Sequence, residues 1–222
     1  MKRKIRTILC VMLVISFCLS GCGNDFDAKS YVQAVLDQKF QGEFKEASKI
    51  MKVSEYELKQ DYEKEIKDFV YTYLTGGYEE ISDYLFYEYQ KLVEEIFAVM
   101  KYDVKKSEKT GDREYEVAVE IQPVDIFITY IDELKKMSSE IEESAKNGGY
   151  TGTQEEIEEQ METDYLNWSY ELLENSYMNM KYSEKETVLL KVTGNKKQVY
   201  SIKKEDFDHL ITAFFRMDEI QE

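Results

Sequence analysis

The sequence predicts a helix-rich α+β fold in which two β-hairpins form one antiparallel sheet and about five to six helices pack against it. Two observations lead to this prediction. Apolar residues recur every three or four positions over most of the 222 residues, and in two stretches the spacing changes to alternation around a glycine-containing turn. Aromatic residues make up 14% of the chain and supply the apolar area that an ordinary globular core needs.

The first half of the chain is predicted to be helical. Gly42 interrupts the first helical pattern, which then resumes. Ser54 and Glu57 form a capping box, in which each side chain satisfies a free backbone N–H at a helix start. Gly76-Gly77 is expected to end the helix that this box opens. The predicted helices span 26–40 with a continuation to 51, then 54–74 and 81–99.

Both hairpins lie in the second half. In the first hairpin, alternating apolar residues lie on both sides of Thr110-Gly111-Asp112: Tyr102 and Val104 before it, and Tyr115, Val117, Val119 and Ile121 after it. In the second, Val188, Leu190 and Val192 precede Gly194-Asn195 and a strand over 199–202 follows. Pro123 ends the first hairpin and can open the next helix. The helices predicted here span 124–145, 153–180 (opened by a second capping box, Thr153 with Glu156) and 207–214.

The first 22 residues have the order of a secretory signal. Basic residues open the chain, an apolar run follows from Ile8 to Leu19, and small residues lead into Cys22. A permanent membrane anchor needs about 20 apolar residues, and this run spans 12. The segment Leu19-Ser20-Gly21-Cys22 resembles the lipobox of bacterial lipoproteins. The alternatives are an uncleaved anchor and a secreted protein with an unrelated cysteine.

The lipobox resemblance implies cleavage between Gly21 and Cys22 and a diacylglycerol lipid on the sulfur of Cys22. It divides the chain into a signal peptide (residues 1–21), a lipidated tether (22–25) and a single α+β domain (26–222). Two acyl chains on one residue anchor a protein stably, whereas one chain binds marginally. The expected location is the extracytoplasmic face of the cell membrane, with the membrane contacted through the lipid on Cys22.

Composition excludes several classes of site. The net charge is −16, and loss of the four basic residues of the signal leaves −20. A chain this acidic repels nucleic acid, so no nucleic-acid partner is expected. After cleavage, Cys22 is the sole cysteine and His209 the sole histidine, which excludes an internal disulfide, a thiolate metal site and a His-rich zinc centre. We therefore expect no metal and no cofactor.

Residues 28–215 resemble a known group of proteins. The opening helix, the break at Lys39-Phe40-Gln41-Gly42-Glu43-Phe44-Lys45-Glu46-Ala47 and the later hairpins are similar to uncharacterised lipoproteins of low-GC Gram-positive bacteria. Several of those proteins have nuclear-transport-factor-two-like or cystatin-like α+β folds, in which helices cradle a curved sheet. The resemblance implies such a fold, but it carries no catalytic motif and implies no site residue. This sequence departs from those folds in that it predicts an excess of helix over strand.

Two polar features are candidates for chemistry. His209 ordinarily titrates near neutral pH, but it falls about 200° from Phe207 on the last predicted helix, which indicates a solvated surface position. A run of acids lies between Glu155 and Asp164, at a predicted helix start where the helix dipole favours negative charge. A calcium loop needs acids alternating around a turn glycine, so we expect a solvated helix face.

Three further patterns give weaker signals. The glycine loop at 148–152 lacks the Lys-Ser or Lys-Thr of a phosphate-binding loop, so a flexible connector is expected. Asn167-Trp168-Ser169 matches a glycosylation sequon, but it lies in mid-helix of a chain with a bacterial lipobox, which indicates chance. Aromatic residues can line a ligand groove, although at helical spacing they usually form core. They are Tyr84, Tyr87, Tyr89, Tyr165 and Trp168.

These observations favour a non-catalytic lipoprotein that binds an envelope protein, a peptide or a glycan. The alternative is a carboxylate-dependent hydrolase of a cell-envelope substrate, which requires two acids converging in a pocket, at least one with a raised pKa. The solute-binding lipoprotein of a transporter requires two α/β lobes, and the order of elements does not predict them. The sequence identifies no catalytic and no ligand-binding residue.

Overall fold

The computed structural model describes residues 17–18, 26–75 and 81–220. Within these ranges it confirms the predicted α+β class, with seven α-helices and a four-stranded antiparallel sheet. The seventh helix arises because Gly42, at φ +63°, splits the first predicted pattern into two helices. None of the helices in the described ranges combines the length and the apolar character that crossing a bilayer requires.

The first half contains helices α1 to α4. α1 continues without a break into a π-helical turn, and so does α3. The predicted capping box of Ser54 and Glu57 opens α3. Gly76-Gly77, the predicted stop signal, lies outside the described residues. The elements are α1 Ala28–Leu36 with the π-turn Asp37–Gln41, α2 Lys45–Met51, α3 Glu55–Phe69 with the π-turn Val70–Leu74, and α4 Asp83–Ala98.

The second half contains both hairpins and the remaining helices. Thr153 and Glu156 form the second predicted capping box. Pro123 ends a strand as predicted but does not open the helix, because Val124 first bridges to Tyr182. The elements are β1 Lys101–Gly111, β2 Glu114–Gln122, α5 Ile126–Lys146, α6 Gln154–Met178, β3 Glu186–Gly194, β4 Val199–Ile202, α7 Lys204–Phe214 and a 3-10 turn Met217–Glu219.

The two hairpins join into one antiparallel sheet of order β4-β3-β2-β1. The central pairing is β2 with β3, where Tyr115 lies opposite Val192, although α5 and α6 separate these strands in the chain. The structure also pairs the backbone of Phe17–Cys18 with the outer edge of β4. Those two residues belong to the segment that the lipobox resemblance implies is removed.

The sheet has one buried face and one solvent face. The alternating residues of β2 and β3 on the buried face pack under the helices, which agrees with the predicted one-sided layering. On the solvent face Leu189 is 49% exposed, and Glu120 forms ion pairs with Lys105 and Lys185. The buried strand residues are Tyr115, Val117, Val119, Ile121, Val188, Leu190 and Val192.

Phe40, in the first π-turn, lies at the centre of the core. It is fully buried, and its ring lies 5.5–6.1 Å from rings of three other elements. The partner rings are Phe97 of α4, Tyr102 of β1, and Phe207 and Phe214 of α7. One side chain therefore connects the π-turn with two helices and a strand.

Replacement of this ring tests that role. We expect Phe40→Ala to lower the free energy of unfolding by about 3–5 kcal/mol, because the cavity lies among rings that can relax only partly. Tyr56→Ala is the matched control, since Tyr56 is 69% exposed on α3, and its effect should stay within about 0.5 kcal/mol. Urea unfolding followed by circular dichroism measures both. Equal losses for the two variants would contradict the central role of Phe40.

Candidate functional site

A cleft of about 520 Å³ opens between the start of β3 and the C-terminal part of α7. Its strand wall consists of Glu186, Thr187 and Val188. Val188 points into the core at 4% exposure, whereas Glu186 and Thr187 are exposed. Pro123 and Ser183 contribute to the lining where β2 ends, and the Ser183 N–H donates to the Pro123 carbonyl at 2.8 Å. Burial of Val188 in the core and the hydrogen bond between Ser183 and Pro123 therefore hold the strand wall in place.

Helix α7 forms the opposite wall. The residues that line the cleft recur at spacings of three and four, which places them on one side of the helix. The neighbouring side is buried against the core, so core packing fixes the orientation of the wall. The lining residues are His209, Thr212, Ala213 and Arg216. The buried residues are Phe207, Leu210, Ile211 and Phe214.

Arg216 holds the C-terminal end of the helix wall. It follows α7 in the left-handed conformation, at φ +51°. Its Nε donates to Oε1 of Glu219 at 2.7 Å, and its Nη2 donates to the other carboxylate oxygen. This bidentate hydrogen bond lowers the pKa of the Glu219 carboxyl. Glu219 therefore stays ionised, and the two side chains fix each other at the cleft.

The cleft is negatively charged. Glu184, Glu186, Asp218 and Glu219 line it, against the single guanidinium of Arg216. Arg216 is already bound by Glu219, whereas the other three carboxylates make no hydrogen bond or ion pair within the described ranges. These carboxylates can therefore bind a cationic group without breaking an existing contact.

His209 has the exposed position that the sequence predicts, and it also lies in the cleft wall. Within the described part of the chain it makes no hydrogen bond, so no hydroxyl of Ser183, Thr187 or Thr212 is paired with it as a nucleophile would be. The sequence could not show that His209 and Arg216 face the beginning of a strand that lies about 20 to 30 residues earlier in the chain.

The other polar candidates are solvated, as expected. All four acids from Glu155 to Glu159 are exposed at the start of α6, Glu156 caps that helix, and Glu162 and Asp164 further along are half-buried. Among the described residues no group of three or more His, Cys, Asp or Glu is arranged to hold a metal ion.

In the sequon, Ser169 is fully buried, which agrees with the interpretation as chance. In the glycine loop, the Tyr150 hydroxyl donates to Asp164 at 3.0 Å, so the loop rests on α6.

The aromatic candidates divide between core and surface. Tyr89 is fully buried, and its hydroxyl donates to the Leu166 carbonyl at 2.8 Å. Tyr84, Tyr87 and Trp168 are exposed by 73%, 53% and 39%. None of the five residues, Tyr165 included, lines the cleft. The expectation of core is therefore right for Tyr89 and wrong for Tyr84, Tyr87 and Trp168, whose rings lie on the exposed surface of α4 and α6.

The sequence does not predict the buried polar cluster around the first π-turn. Lys39 is 5% exposed and forms an ion pair with Glu65 of α3. Asp37 accepts hydrogen bonds from the Tyr102 hydroxyl at 2.6 Å and from Gln33 at 2.7 Å. The extra residue of the π-turn brings Gln38, Lys39 and Phe40 inside together, and α-helical spacing contains no signal for this.

Glu65 is the acid of this cluster with a perturbed pKa. Burial raises the pKa of the Glu65 carboxyl above its ordinary value, although Lys39 acts to lower it. Glu65 does not line the cleft, and its close partner is a lysine. The described residues therefore do not place it in the pair of converging acids that the hydrolase alternative requires.

The ion pair leads to a prediction about stability and pH. Lys39→Met leaves Glu65 buried without its cation and should cost about 3–5 kcal/mol of unfolding free energy at pH 7. Without Lys39 the folded pKa of Glu65 rises further above its unfolded value. The folded state then binds the proton more tightly, so the variant should lose stability as pH rises through the folded pKa and regain it as pH falls toward about 4.

The double variant Lys39→Met/Glu65→Leu is the control. It removes both charges and should recover most of the loss, because no buried charge is left uncompensated. Urea unfolding between pH 4 and pH 8 compares the three proteins. A double variant that is as unstable as Lys39→Met at every pH would contradict the interpretation.

Comparison with known proteins identifies a structural relative. No family model and no curated protein sequence matches the chain. A crystal structure with a similar fold is that of YcdA from Bacillus subtilis, described as a "putative lipoprotein". The TM-score is 0.51 at 16% sequence identity, over 85% of this chain and 56% of YcdA. At this identity the likeness shows the fold alone, and the chain spans little more than half the length of YcdA.

The likeness to this structure agrees with the predicted α+β class. Gly21 and Cys22, the predicted cleavage and lipid-attachment residues, lie outside the described residues and stay predictions. The closer assignment to nuclear-transport-factor-two-like or cystatin-like folds also stays a prediction, as does the division into a signal (1–21), a tether (22–25) and one domain (26–222).

Proposed function

We propose that the chain is a lipoprotein anchored through Cys22 on the extracytoplasmic face of the cell membrane, and that its domain binds an envelope ligand in the cleft between β3 and α7. The observation that carries the binding function is the cleft itself, whose unpaired carboxylates face a helix wall with His209 and Thr212. The lipobox of the sequence and the likeness to YcdA support the lipoprotein assignment.

The structure of the domain's first residues supports a position close to the membrane. The Phe26 ring stacks on Tyr200 of β4 at 3.5 Å and also contacts Tyr31 and Tyr115. Only three residues separate Cys22 from Phe26, a reach of about 10–15 Å. The end of the sheet that carries Tyr115 and Tyr200 would therefore lie next to the lipid.

Binding accounts for the cleft better than hydrolysis does. Acid catalysis requires a carboxyl that holds its proton near neutral pH. In the cleft, the Arg216 hydrogen bond lowers the pKa of Glu219 instead. The carboxyl with a raised pKa, Glu65, is paired with Lys39 and is not part of the lining. The cleft thus has the charge of a recognition site.

Removal of the lipid-bearing sulfur tests the anchor. We expect Cys22→Ser to move the protein from the membrane fraction to the soluble or released fraction, because the diacylglycerol is attached at that sulfur. Fractionation with immunoblotting measures the shift, and Cys18→Ser is the control, since that cysteine lies in the predicted signal peptide. Membrane association that persists in Cys22→Ser would refute anchoring through Cys22.

Site-specific crosslinking tests the cleft. A photo-reactive phenylalanine analogue in place of Thr212, inside the cleft, should form discrete adducts in intact cells on irradiation. The same analogue in place of Tyr56, an exposed position on α3, should not form those adducts. Identical adduct patterns from both positions, or none from Thr212, would argue against ligand binding in the cleft.

A further inference from the structure

The cleft contains an unpaired strand edge. Strand β3 runs from Glu186 to Gly194 and pairs with β2 along its whole length, from Glu186 opposite Ile121 to Thr193 opposite Glu114. On its other side it pairs with β4 only at Val192 to Gly194. The first part of that second edge therefore has no neighbouring strand among the described residues.

The backbone direction at this edge follows from Lys191. Its N–H donates to the Asp206 carboxylate at 2.8 Å, and its carbonyl accepts from the Lys203 N–H at 2.8 Å. Both groups therefore point away from β2. Because backbone groups alternate in direction along a regular antiparallel strand, Leu189 and Thr187 point the same way.

The unpaired edge of β3 borders the cleft at Thr187. Thr187 lines the cleft and is exposed, and Leu189 beside it is 49% exposed. In the described ranges no side chain hydrogen-bonds to the outward N–H or carbonyl of either residue. Helix α7 faces the edge across the cleft through His209 and Thr212. A strand edge opposite a helix is the geometry in which proteins bind an extended peptide as an added strand.

Charge defines the side chains of such a peptide. The strand wall carries Glu186 and is preceded by Glu184, and Asp218 lies in the same lining, all without an ion-pair partner in the described part of the chain. A mature charge of −20 reinforces the local field. Lysine or arginine side chains at alternate positions of an added strand would lie on one face and meet these carboxylates.

We propose that the cleft binds an extended, cationic peptide segment, which adds as a strand to the free edge of β3 at Thr187 and Leu189 and places lysine or arginine beside Glu184 and Glu186. This deepens the proposed function and rests on it, since it names the ligand class of the same cleft. Hydrogen bonds to the backbone supply affinity without sequence preference, and the carboxylates select for positive charge.

The probe is the capped peptide Ac-Lys-Val-Lys-Val-Lys-amide, added to the full-length protein in neutral detergent micelles. We expect the amides of Thr187 and Leu189 to exchange rapidly with solvent in the free protein and to become protected on addition of the peptide. The glutamate analogue Ac-Glu-Val-Glu-Val-Glu-amide is the control and should protect neither amide. Absence of protection at saturating lysine peptide overturns the proposal.

Two pairs of variants separate the backbone and charge contributions. Thr187→Pro removes the outward N–H, at an edge position where proline is tolerated, and should weaken binding about tenfold or more. Thr187→Ala keeps that N–H and should weaken binding less than Thr187→Pro does. Glu184→Gln/Glu186→Gln should weaken binding of the lysine peptide, and Glu155→Gln/Glu158→Gln on α6 should not. Fluorescence anisotropy of a labelled peptide gives the affinities.

Three other outcomes of these experiments also lead to definite conclusions. If Thr187→Pro does not fold, the exchange measurement on the wild type decides the proposal alone. If Thr187 is protected without peptide, and more so at higher protein concentration, a second copy of the chain occupies the edge and the proposal is wrong. If crosslinking at Thr212 succeeds while the lysine peptide fails, the cleft binds in another mode, so the proposed function stands and this inference falls.

Discussion

The fold depends on aromatic packing around Phe40, because a sheet with one buried face is stable only while helices cover that face. Cys22 is the only cysteine after residue 21, so no disulfide can hold the helices in place. Phe40 reaches rings on α4, β1 and α7 at once. The π-turn makes this reach possible: its extra residue moves Phe40 inward, and the same shift buries Lys39 beside it, where Glu65 must compensate the charge.

The same packing positions the cleft. Helix α7 presents Phe207 and Phe214 to Phe40 on one side and His209 and Thr212 to the cleft on the other. Any movement of the buried side therefore moves the cleft wall. The strand wall is fixed independently, since β3 pairs with β2 along its whole length. Packing in the core thus sets the width of the cleft.

Short-range sequence signals predict the helices, strands and turns correctly, but they do not predict the cleft. The capping boxes at Ser54 and Thr153 and the two glycine turns depend on residues within a few positions of one another, and the structure contains them. The cleft is built from segments between Pro123 and Glu219 that meet only after the hairpins pair, so no spacing indicates it. Burial of Lys39 could not be predicted either, because it follows from a π-turn that leaves no mark in apolar periodicity.

The shortness of β4 connects the first described helix region to the cleft. Tyr200 of β4 stacks on Phe26, and two residues later the chain leaves the sheet to begin α7. Asp206 of that helix then accepts the Lys191 N–H, where a longer strand would have paired. An unpaired edge invites association with other copies of the chain unless charge opposes it. Here Glu184 and Glu186 flank the edge of a protein with a net charge of −16, so like copies repel one another and a cationic strand is not repelled.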